Sequence, residues 1–233
     1  MCEDRLVQCR LQAVRRLIQL VIVAGFLLGG CRGVSRPEAG RTQPAAFVAA
    51  AGSGDVITVR RAISAGIDVD ARDASGRTAV TAAALAEHAE VVRVLVDANA
   101  DVDLQDGDRN NALLVCGETG NVEVLREVLR AEPDLTRTNR FGGTALIPAA
   151  DRGHVGMVGA LLETDIPIDH VNRLGWTALL EAVILGDGGP AHQEIVRLLI
   201  YAGANVELAD SDGVAPLEHA RRRGFLEIAR LLE

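Results

Sequence analysis

Residues 172–210 read NRLGWTALLEAVILGDGGPAHQEIVRLLIYAGANVELAD and contain, in order, the signals from which most of this chain is built. An Asp or Asn opens the stretch. A glycine-bearing turn, a short Ala/Leu-rich helix, a second helix with paired aliphatic residues and a stop at small residues then follow. The same order returns from three earlier starts, Asp73, Asp106 and Asn139. These starts are 33 residues apart, and Asn172 lies 38 residues before the next start, Asp210, so this unit has five extra residues.

A fixed period of this length indicates a stacked array of repeats and not a single globular core. Each unit of such an array buries its apolar face on its neighbours, so 233 residues need not divide into separate domains. Aromatic residues make up only 3% of the chain, and Ala, Leu and Val dominate. Small aliphatic side chains suit thin interfaces between helical layers, so we predict one array of the all-α class.

The charge balance argues against two classes of partner. All 24 basic residues are Arg, and the formal net charge is −8. Residues 1–30 carry +2, because four Arg outnumber Glu3 and Asp4, and residues 31–233 therefore carry −10. An acidic body of this kind repels nucleic acid and anionic lipid, so we expect neither as a partner. Simple solubility is the plainer explanation of the acidity.

The N-terminal segment has the features of an export signal. Arg15 and Arg16 precede a mostly apolar run at residues 17–28, which is too short to span a bilayer comfortably. Residues 28–31, LGGC, resemble the bacterial lipobox, in which a small residue precedes a cysteine that is acylated and becomes the new N-terminus. We predict that residues 1–30 are a lipoprotein signal peptide and that Cys31 is the lipidation site. An ordinary signal peptide cut nearby and an uncleaved anchor are the alternatives.

These features predict an exported protein that faces the periplasm or the cell exterior and is held at the membrane by a lipid anchor on Cys31. Residues 31–43 have no periodicity and are rich in Gly, Pro, Ser and Arg. This composition predicts a flexible tether between the lipid and the array. A disordered tail without a role is equally consistent with it.

Residues 44–72 form a first, degenerate unit. Phe47 and its neighbouring alanines predict a short first helix, and Val59 and Ile63 lie one turn apart on the second. The unit lacks the turn that opens the later ones. An atypical terminal repeat is expected in a stack, because its outer face meets water.

The units from Asp73 onward resemble ankyrin repeats, whose pattern is D-x-x-G-x-T-P-L-H-x-A-A, then V-x-x-L-L and G-A-D-V-N. The matching residues are Asp73, Gly76, Thr78, Ala82 and Ala83; Asn139, Gly142, Thr144 and Leu146; Asn172, Gly175, Thr177, Leu179 and Ala182; and Asp210, Gly213, Pro216, Leu217 and Ala220. The resemblance implies an all-α ankyrin-repeat solenoid of stacked helix-turn-helix units with short β-hairpin turns. The expected domain is residues 44–233, with units 44–72 as N-terminal cap, 73–105, 106–138, 139–171, 172–209 with the insertion, and 210–233 as C-terminal cap.

Helix caps are predicted at one register position of each unit. The residues whose side chains can cap the first helix are Thr78, Asn111, Thr144 and Thr177. Ala215 cannot do so, and Pro216 partly compensates by occupying the first helical position. Pro148 lies inside a first helix, where its missing amide should distort the turn and loosen unit 139–171.

The second helices carry aliphatic residues four positions apart, which form one apolar stripe on each helix. The pairs are Val92 with Val96, Leu125 with Leu129, Val158 with Leu162, and Val196 with Ile200. The residues that follow these helices in register are Gly66, Asn99, Glu132, Asp165 and Gly203. All except Glu132 are types that tolerate a left-handed helix stop.

No pattern in the sequence supplies a reacting centre. His88 and His154 share a register position, but no Cys or His lies at ligand spacing from them, so no metal site is expected. Cys116 stands where the repeat needs a small buried residue, which predicts a structural thiol. The remaining histidines are scattered: His170, His192 and His219. We predict a protein that is not an enzyme, has no cofactor and takes no small-molecule substrate. The insertion at residues 186–191 enlarges a turn, either as a lip over the groove or as a tolerated surface loop.

The resemblance implies that a protein partner binds at the hairpin tips and the inward side of the first helices. The candidate partner-binding residues in that register are Arg77, Asp108, Glu118, Arg140, Phe141, Asp151, Arg152, Arg173, Leu174 and Trp176. Phe141 and Trp176 lie on adjacent tips with Arg140 and Arg173 nearby, and aromatic residues with Arg are enriched in interface hot spots. Alternatively, both rings fold down and cover the turns of neighbouring units.

The sequence thus predicts a non-enzymatic protein-binding scaffold on the outer side of a bacterial membrane. The alternative function is that of an assembly or stabilising factor for an envelope enzyme. Ankyrin proteins of bacterial envelopes are similar to this one, and some of them accompany protective redox enzymes.

Overall fold

A computed structural model describes residues 43–233 of the chain. The predicted signal peptide, Cys31 and residues 32–42 of the predicted tether lie outside the described residues. Within residues 43–233, no helix combines the length and the apolar character needed to cross a membrane.

Twelve α-helices follow one another as six pairs in the described part of the chain. The first three pairs are α1 (Pro44–Gly52) with α2 (Val56–Ser64), α3 (Ala79–Leu85) with α4 (Ala89–Asp97), and α5 (Ala112–Thr119) with α6 (Val122–Leu129). The next three are α7 (Leu146–Asp151) with α8 (Val155–Leu162), α9 (Ala178–Ile184) with α10 (Pro190–Tyr201), and α11 (Pro216–Arg223) with α12 (Leu226–Leu232). We call the first helix of each pair inner and the second outer.

The pairs stack in two layers. Each inner helix packs on the next inner helix, and each outer helix packs on the next outer helix, from the first pair to the last. The buried residues form one continuous core that runs through all six pairs. This confirms the predicted fold class, an all-helical array of stacked helix pairs.

The outer helices bury a wider stripe than the sequence pattern indicates. Val92, Val158 and their equivalents are fully buried, whereas the predicted partners four residues later are only partly buried. Residues three positions after the first member are fully buried instead: Leu95, Val128, Leu161 and Leu199. Burying such a side chain contributes about 1.5–3 kcal/mol, so these leucines and valines contribute much of the interface between units.

Three of the four predicted helix caps are confirmed. Side-chain oxygens of Thr78, Asn111 and Thr177 accept hydrogen bonds from the amides three residues later. The prediction for Thr144 is wrong. Helix α7 starts at Leu146 with Ala145 as its N-cap, and within residues 43–233 Thr144 Oγ1 is the one buried side-chain oxygen without a hydrogen-bond partner.

Pro148 explains the lost cap. It has no amide to donate to the carbonyl oxygen of Thr144, and the amide of Ile147 donates to that oxygen instead, at 3.3 Å. That amide is therefore unavailable to Thr144 Oγ1. The tighter turn shortens α7 to six residues, so the predicted distortion at Pro148 is confirmed.

Four of the five residues predicted to follow the outer helices adopt a left-handed backbone conformation, although they are not the four that residue type favours. Gly66, Asn99 and Gly203 adopt positive φ as expected. Glu132 also does so, at φ 51°, whereas Asp165 does not. The prediction from residue type is thus wrong at these two positions. Because Pro167 follows Ile166, the backbone just after Asp165 is restricted to extended conformations, and this loop takes a different course.

Candidate functional site

Five turns, which we call tips, precede inner helices α3, α5, α7, α9 and α11. They comprise residues 73–77, 106–110, 139–143, 172–176 and 210–214. In each tip the opening Asp or Asn donates its amide to the carbonyl of the fifth residue, and its Oδ1 accepts from the amides of the third and fifth residues. The hairpins are therefore tight turns, and the isolated antiparallel bridge between Arg72 and Thr78 is the extent of β structure in residues 43–233.

Neighbouring tips are joined to one another. The amide of Gly107 donates to the carbonyl of Ser75 at 3.0 Å, and the amide of Arg173 donates to the carbonyl of Phe141 at 3.0 Å. Between the second and third tips, Arg140 forms a 2.8 Å ion pair with Asp108. These bonds hold the first four tips in a fixed row, so their side chains are presented on a preorganised surface.

The third tip presents an aromatic ring to solvent. The Phe141 side chain is 41% exposed, and the guanidinium carbon of Arg140 lies 4.8 Å from the centre of its ring. An Arg over an aromatic face stabilises both side chains by a cation–π interaction. Phe141 therefore stays at the surface and does not fold down over a neighbouring turn.

The fourth tip continues this surface. Leu174 is 44% exposed, and Val171, directly before the tip, is 45% exposed. Trp176 differs from Phe141, because its side chain is partly buried. The two aromatic residues that the sequence groups together thus have separate environments.

Ion pairs between units involve three other predicted partner-binding residues, Arg77, Glu118 and Arg152. Arg77 lies 3.4 Å from the nearly buried carboxylate of Asp106 on the next tip. Arg152, after α7, pairs at 2.6 Å with Glu118 of α5. Asp151, at the end of α7, lies close enough to Glu181 of α9 to affect its ionisation. Glu118, Asp151 and Arg152 therefore form a second group, in or directly after inner helices α5 and α7 and not on the tips of Phe141 and Leu174.

Glu181 is a buried acid that the sequence patterns do not single out. It occupies a register position where α3 has Ala82 and α5 has Val115, and it is only 7% exposed. Burial and, to a smaller extent, the nearby negative charge of Asp151 raise the pKa of Glu181 to about 8, although the hydrogen bond from Asn172 acts in the opposite direction. The side chain is therefore largely protonated at neutral pH.

His192 is the second residue that sequence reasoning missed. Its Nε2 donates to the carbonyl of Asp151 at 3.0 Å, in the same way that His154 Nε2 donates to the carbonyl of Glu118 at 3.2 Å. The insertion shifts His192 out of the sequence register, but the fold returns its ring to the equivalent place. The ring lies against Gly153, as the ring of His154 lies against Gly120.

In the last helix pair an arginine donates to carbonyls at the end of the preceding inner helix, as His154 and His192 do in the two pairs before it. Arg223 donates to the carbonyls of Val183 and Ile184 at the end of α9, and its guanidinium carbon lies 4.5 Å from the ring centre of Phe225. The ring of Phe225 lies against Gly188, in the loop that contains the insertion. The insertion thus adds two residues to this loop and three to α10, compared with the pair α3 and α4.

The chemistry of the remaining polar residues is structural. His170 Nε2 contacts the carbonyl of Gly142 at 2.7 Å, and His219 Nε2 contacts Oδ2 of Asp210 at 2.7 Å. Burial raises the pKa of the Cys116 thiol to about 12, so it is not an activated nucleophile. Residues 43–233 contain no group of three or more His, Cys, Asp or Glu side chains placed to hold a metal ion.

Comparison with known proteins identifies the family. A family model described as ankyrin repeats (3 copies) matches residues 11–106, 46–139 and 113–210. The first match begins among residues that the structure does not describe. The ankyrin repeat protein YahD of Escherichia coli (strain K12) is 54% identical over 50 residues, which are 22% of this chain and 25% of YahD. The chain thus matches about a quarter of the length of that curated relative.

Solved structures agree over a longer range. The crystal structure of an ankyrin repeat domain from Acinetobacter baumannii AYE has a TM-score of 0.77 and 46% sequence identity, covering 80% of this chain and 95% of that one. The ankyrin repeat domain of Bcl-3, described as a unique member of the IkappaB protein family, has a TM-score of 0.73 and 28% identity, covering 82% and 85% of the two chains. Since the family matches and the bacterial structure extend over most of the sequence, the chain belongs to the ankyrin repeat family.

Proposed function

We propose that this chain is a non-enzymatic protein-binding scaffold on the outer side of a bacterial membrane, and that its partner binds the tips and the adjacent inner helices. Ankyrin repeat domains are generally protein-binding modules and are typically non-catalytic. The family supports the class of function, and the surface of the third and fourth tips supports the place of contact.

The observation that carries this proposal is the exposed apolar surface on two tips that are bonded to each other. We call Phe141, Val171, Arg173 and Leu174 the tip patch. In the described residues, its three apolar members are among seven large hydrophobic side chains that are exposed, and the other four are dispersed: Ile57, Leu85, Tyr201 and Leu226. A clustered apolar surface on a fixed frame loses little entropy on binding, so a few anchors suffice for affinity.

Substitution of the anchors tests the contact surface. We expect Phe141→Ala and Leu174→Ala to abolish co-purification of a crosslinked partner from the native envelope, while the thermal unfolding midpoint changes little. Tyr201→Ala is the matched control, since Tyr201 is 92% exposed and does not belong to the tips. Trp176→Ala should lower the unfolding midpoint as well, because that ring is partly buried. Undiminished partner recovery with the Phe141 and Leu174 variants would remove the tip patch from the proposal.

The membrane location is supported by the sequence of the N-terminal segment, with its basic pair, apolar run and LGGC motif. Expression of the full chain with a labelled fatty acid tests it. We expect label on the protein and a mature N-terminus at Cys31, and loss of both in Cys31→Ala. Recovery of the unlabelled full-length chain from the cytoplasmic fraction would contradict the location and leave the protein-binding function standing.

A further inference from the structure

Arg173 gives the tip patch a positive charge, and the surroundings of its guanidinium indicate the chemistry of the partner. Arg140 and Arg173 are the two charged residues of the third and fourth tips, and neither tip contains an Asp or Glu. Residues 31–233 carry −10 overall, so this pair of tips is a cationic and apolar region on an acidic protein. Opposite charge on a partner segment would be attracted to this region and repelled by most of the remaining surface.

The guanidinium groups of Arg140 and Arg173 differ in the contacts that they make within the chain. Arg140 is committed within the chain, since it pairs with Asp108 at 2.8 Å and lies over the Phe141 ring. Arg173 is exposed and forms no ion pair with any residue of the part of the chain that the structure describes. Its Nη1 donates to the carbonyl of Arg140 at 2.7 Å, which leaves the edge formed by Nε and Nη2 directed away from that bond.

Three contacts fix the position of Arg173. Its amide donates to the carbonyl of Phe141, its Nη1 donates to the carbonyl of Arg140, and its side-chain stem lies over Gly142. A Cβ on Gly142 would lie 2.9 Å from Cγ of Arg173, so the stem occupies the space that this glycine leaves open. The guanidinium is thus preorganised next to two exposed apolar residues, Phe141 and Leu174.

We propose that the tip patch binds an extended protein segment in which an Asp or Glu lies within two residues of a large apolar side chain. The carboxylate pairs with the Nε and Nη2 edge of Arg173, and the apolar side chain lies between Phe141 and Leu174. Arg presents two parallel N–H groups that match both oxygens of a carboxylate. A neutral amide or a basic side chain on the partner does not offer two such charged oxygens. This inference rests on the proposed function and adds the class of partner.

Selection of peptides tests the proposal without knowledge of the natural partner. The probe is a displayed library of random dodecapeptides, selected against the full chain. We expect enrichment of sequences with an acidic residue within two positions of an aromatic or aliphatic one. The leading peptide is then synthesised with a fluorescent label, together with a twin in which Asp or Glu is replaced by Asn or Gln.

The acidic peptide should bind the chain about tenfold more tightly than its amide twin, because a charge-assisted pair is lost in the twin. In Arg173→Gln the two peptides should bind equally, and in Arg173→Lys only part of the difference should return. The control is Arg137→Gln, an exposed arginine that pairs with Asp134 outside the tips and should preserve the full difference.

Equal binding of the two peptides to the unchanged chain would overturn the inference. If that equal binding still required Phe141, the proposed function would stand without the acidic partner. A set of selected peptides that is basic, or an Arg173-dependent complex with a labelled single-stranded oligonucleotide, would also overturn it. If no peptide were enriched and Phe141→Ala left partner recovery unchanged, both proposals would fail.

Discussion

Asn172 donates a hydrogen bond from Nδ2 to Oε1 of the buried Glu181 at 2.7 Å, and this pair joins the fourth tip to helix α9. The Oδ1 atom of the same Asn172 accepts from the amides of Leu174 and Trp176 at 2.9 and 3.1 Å. The carboxyl group of Glu181 therefore supports the turn that presents Leu174 to solvent.

Replacing Glu181 by Gln should stabilise the protein at alkaline pH. The pKa of Glu181 is about 8 in the folded chain and 4.5 at its ordinary value, so the unfolded chain ionises at a pH where the folded chain stays protonated. The stability of the unchanged protein should fall between about pH 4.5 and 8 and level off above that range. Glu181→Gln lacks this fall, so its advantage should reach roughly a few kcal/mol near pH 8.

Thermal unfolding across this pH range measures the effect. Each kcal/mol should raise the unfolding midpoint by about 2–4 °C for a domain of this size. The control is Glu163→Gln, an exposed residue at the end of α8, which should show no such pH-dependent advantage. A constant difference between Glu181→Gln and the unchanged protein from pH 4.5 to 8 would contradict the raised pKa.

Thr144→Val and Thr177→Val should affect stability differently. Thr177 Oγ1 caps helix α9 by accepting from the amide of Leu180 at 3.2 Å, and loss of such a cap costs about 1 kcal/mol. Thr144 Oγ1 is buried without a partner, so its removal should be neutral or stabilising. Denaturant unfolding of the two variants measures both. Equal destabilisation would show that Thr144 forms a hydrogen bond that the structure does not contain.

Pro148→Ala should restore the missing cap at Thr144. An alanine amide can donate to the carbonyl of Thr144, which frees the amide of Ile147 for Thr144 Oγ1. In the Pro148→Ala background, Thr144→Val should therefore cost about 1 kcal/mol, although it is neutral or stabilising in the unchanged chain. Additive effects of the two substitutions in a double-mutant cycle would contradict this explanation of the lost cap.

Two mid-helix glycines should respond oppositely to replacement by Ala. Gly117 lies in α5 against α7, and a Cβ there would be 2.1 Å from the carbonyl oxygen of Ala145. Gly117→Ala should therefore destabilise by at least about 1–3 kcal/mol. A Cβ on Gly159 of α8 would meet nothing within 4 Å, so Gly159→Ala should stabilise by about 0.5–1 kcal/mol through helix propensity. Denaturant unfolding gives both values, and the same sign in both would refute the close approach of α5 and α7.

His192→Ala should loosen the loop between α9 and α10. The ring holds Oδ1 of Asp187 at 2.8 Å on one side and the carbonyl of Asp151 at 3.0 Å on the other. Loss of both contacts should raise hydrogen exchange of the amides at residues 186–189 by about tenfold. His88→Ala is the control, because that ring lies against Gly54, far along the array from this loop. Unchanged exchange in His192→Ala would show that other contacts hold the loop.

The period of the sequence was sufficient to predict the fold class, because spacing alone determines which residues meet in a stack. The caps at Thr78, Asn111 and Thr177 were also predictable, since each depends on an amide three residues away. Thr144 shows the limit of this reasoning. Its side chain does not cap the helix because the amide of Ile147 donates to the carbonyl oxygen of Thr144 and not to Oγ1. That choice follows from the missing amide of Pro148.

The candidate site was less predictable, because its properties depend on contacts between units. Sequence register places Phe141 and Trp176 on adjacent tips, but only the packing shows that Phe141 is exposed and Trp176 is partly buried. The role of Glu181 depends on Asn172 and Asp151, which belong to a tip and a different helix. His192 was not predicted for another reason. The five inserted residues shift it out of the sequence register, but its ring still lies at the position equivalent to that of His154.

The donors at the ends of inner helices α5, α7 and α9 each come from the following helix pair. His154 serves the carbonyl of Glu118, His192 serves that of Asp151, and Arg223 serves those of Val183 and Ile184. Each of these three inner helices is therefore completed by the pair that follows it, which gives this part of the array a direction along the chain. Removal of α11 and α12 would leave α9 without the guanidinium of Arg223, so the shortened array should begin to fray at α9.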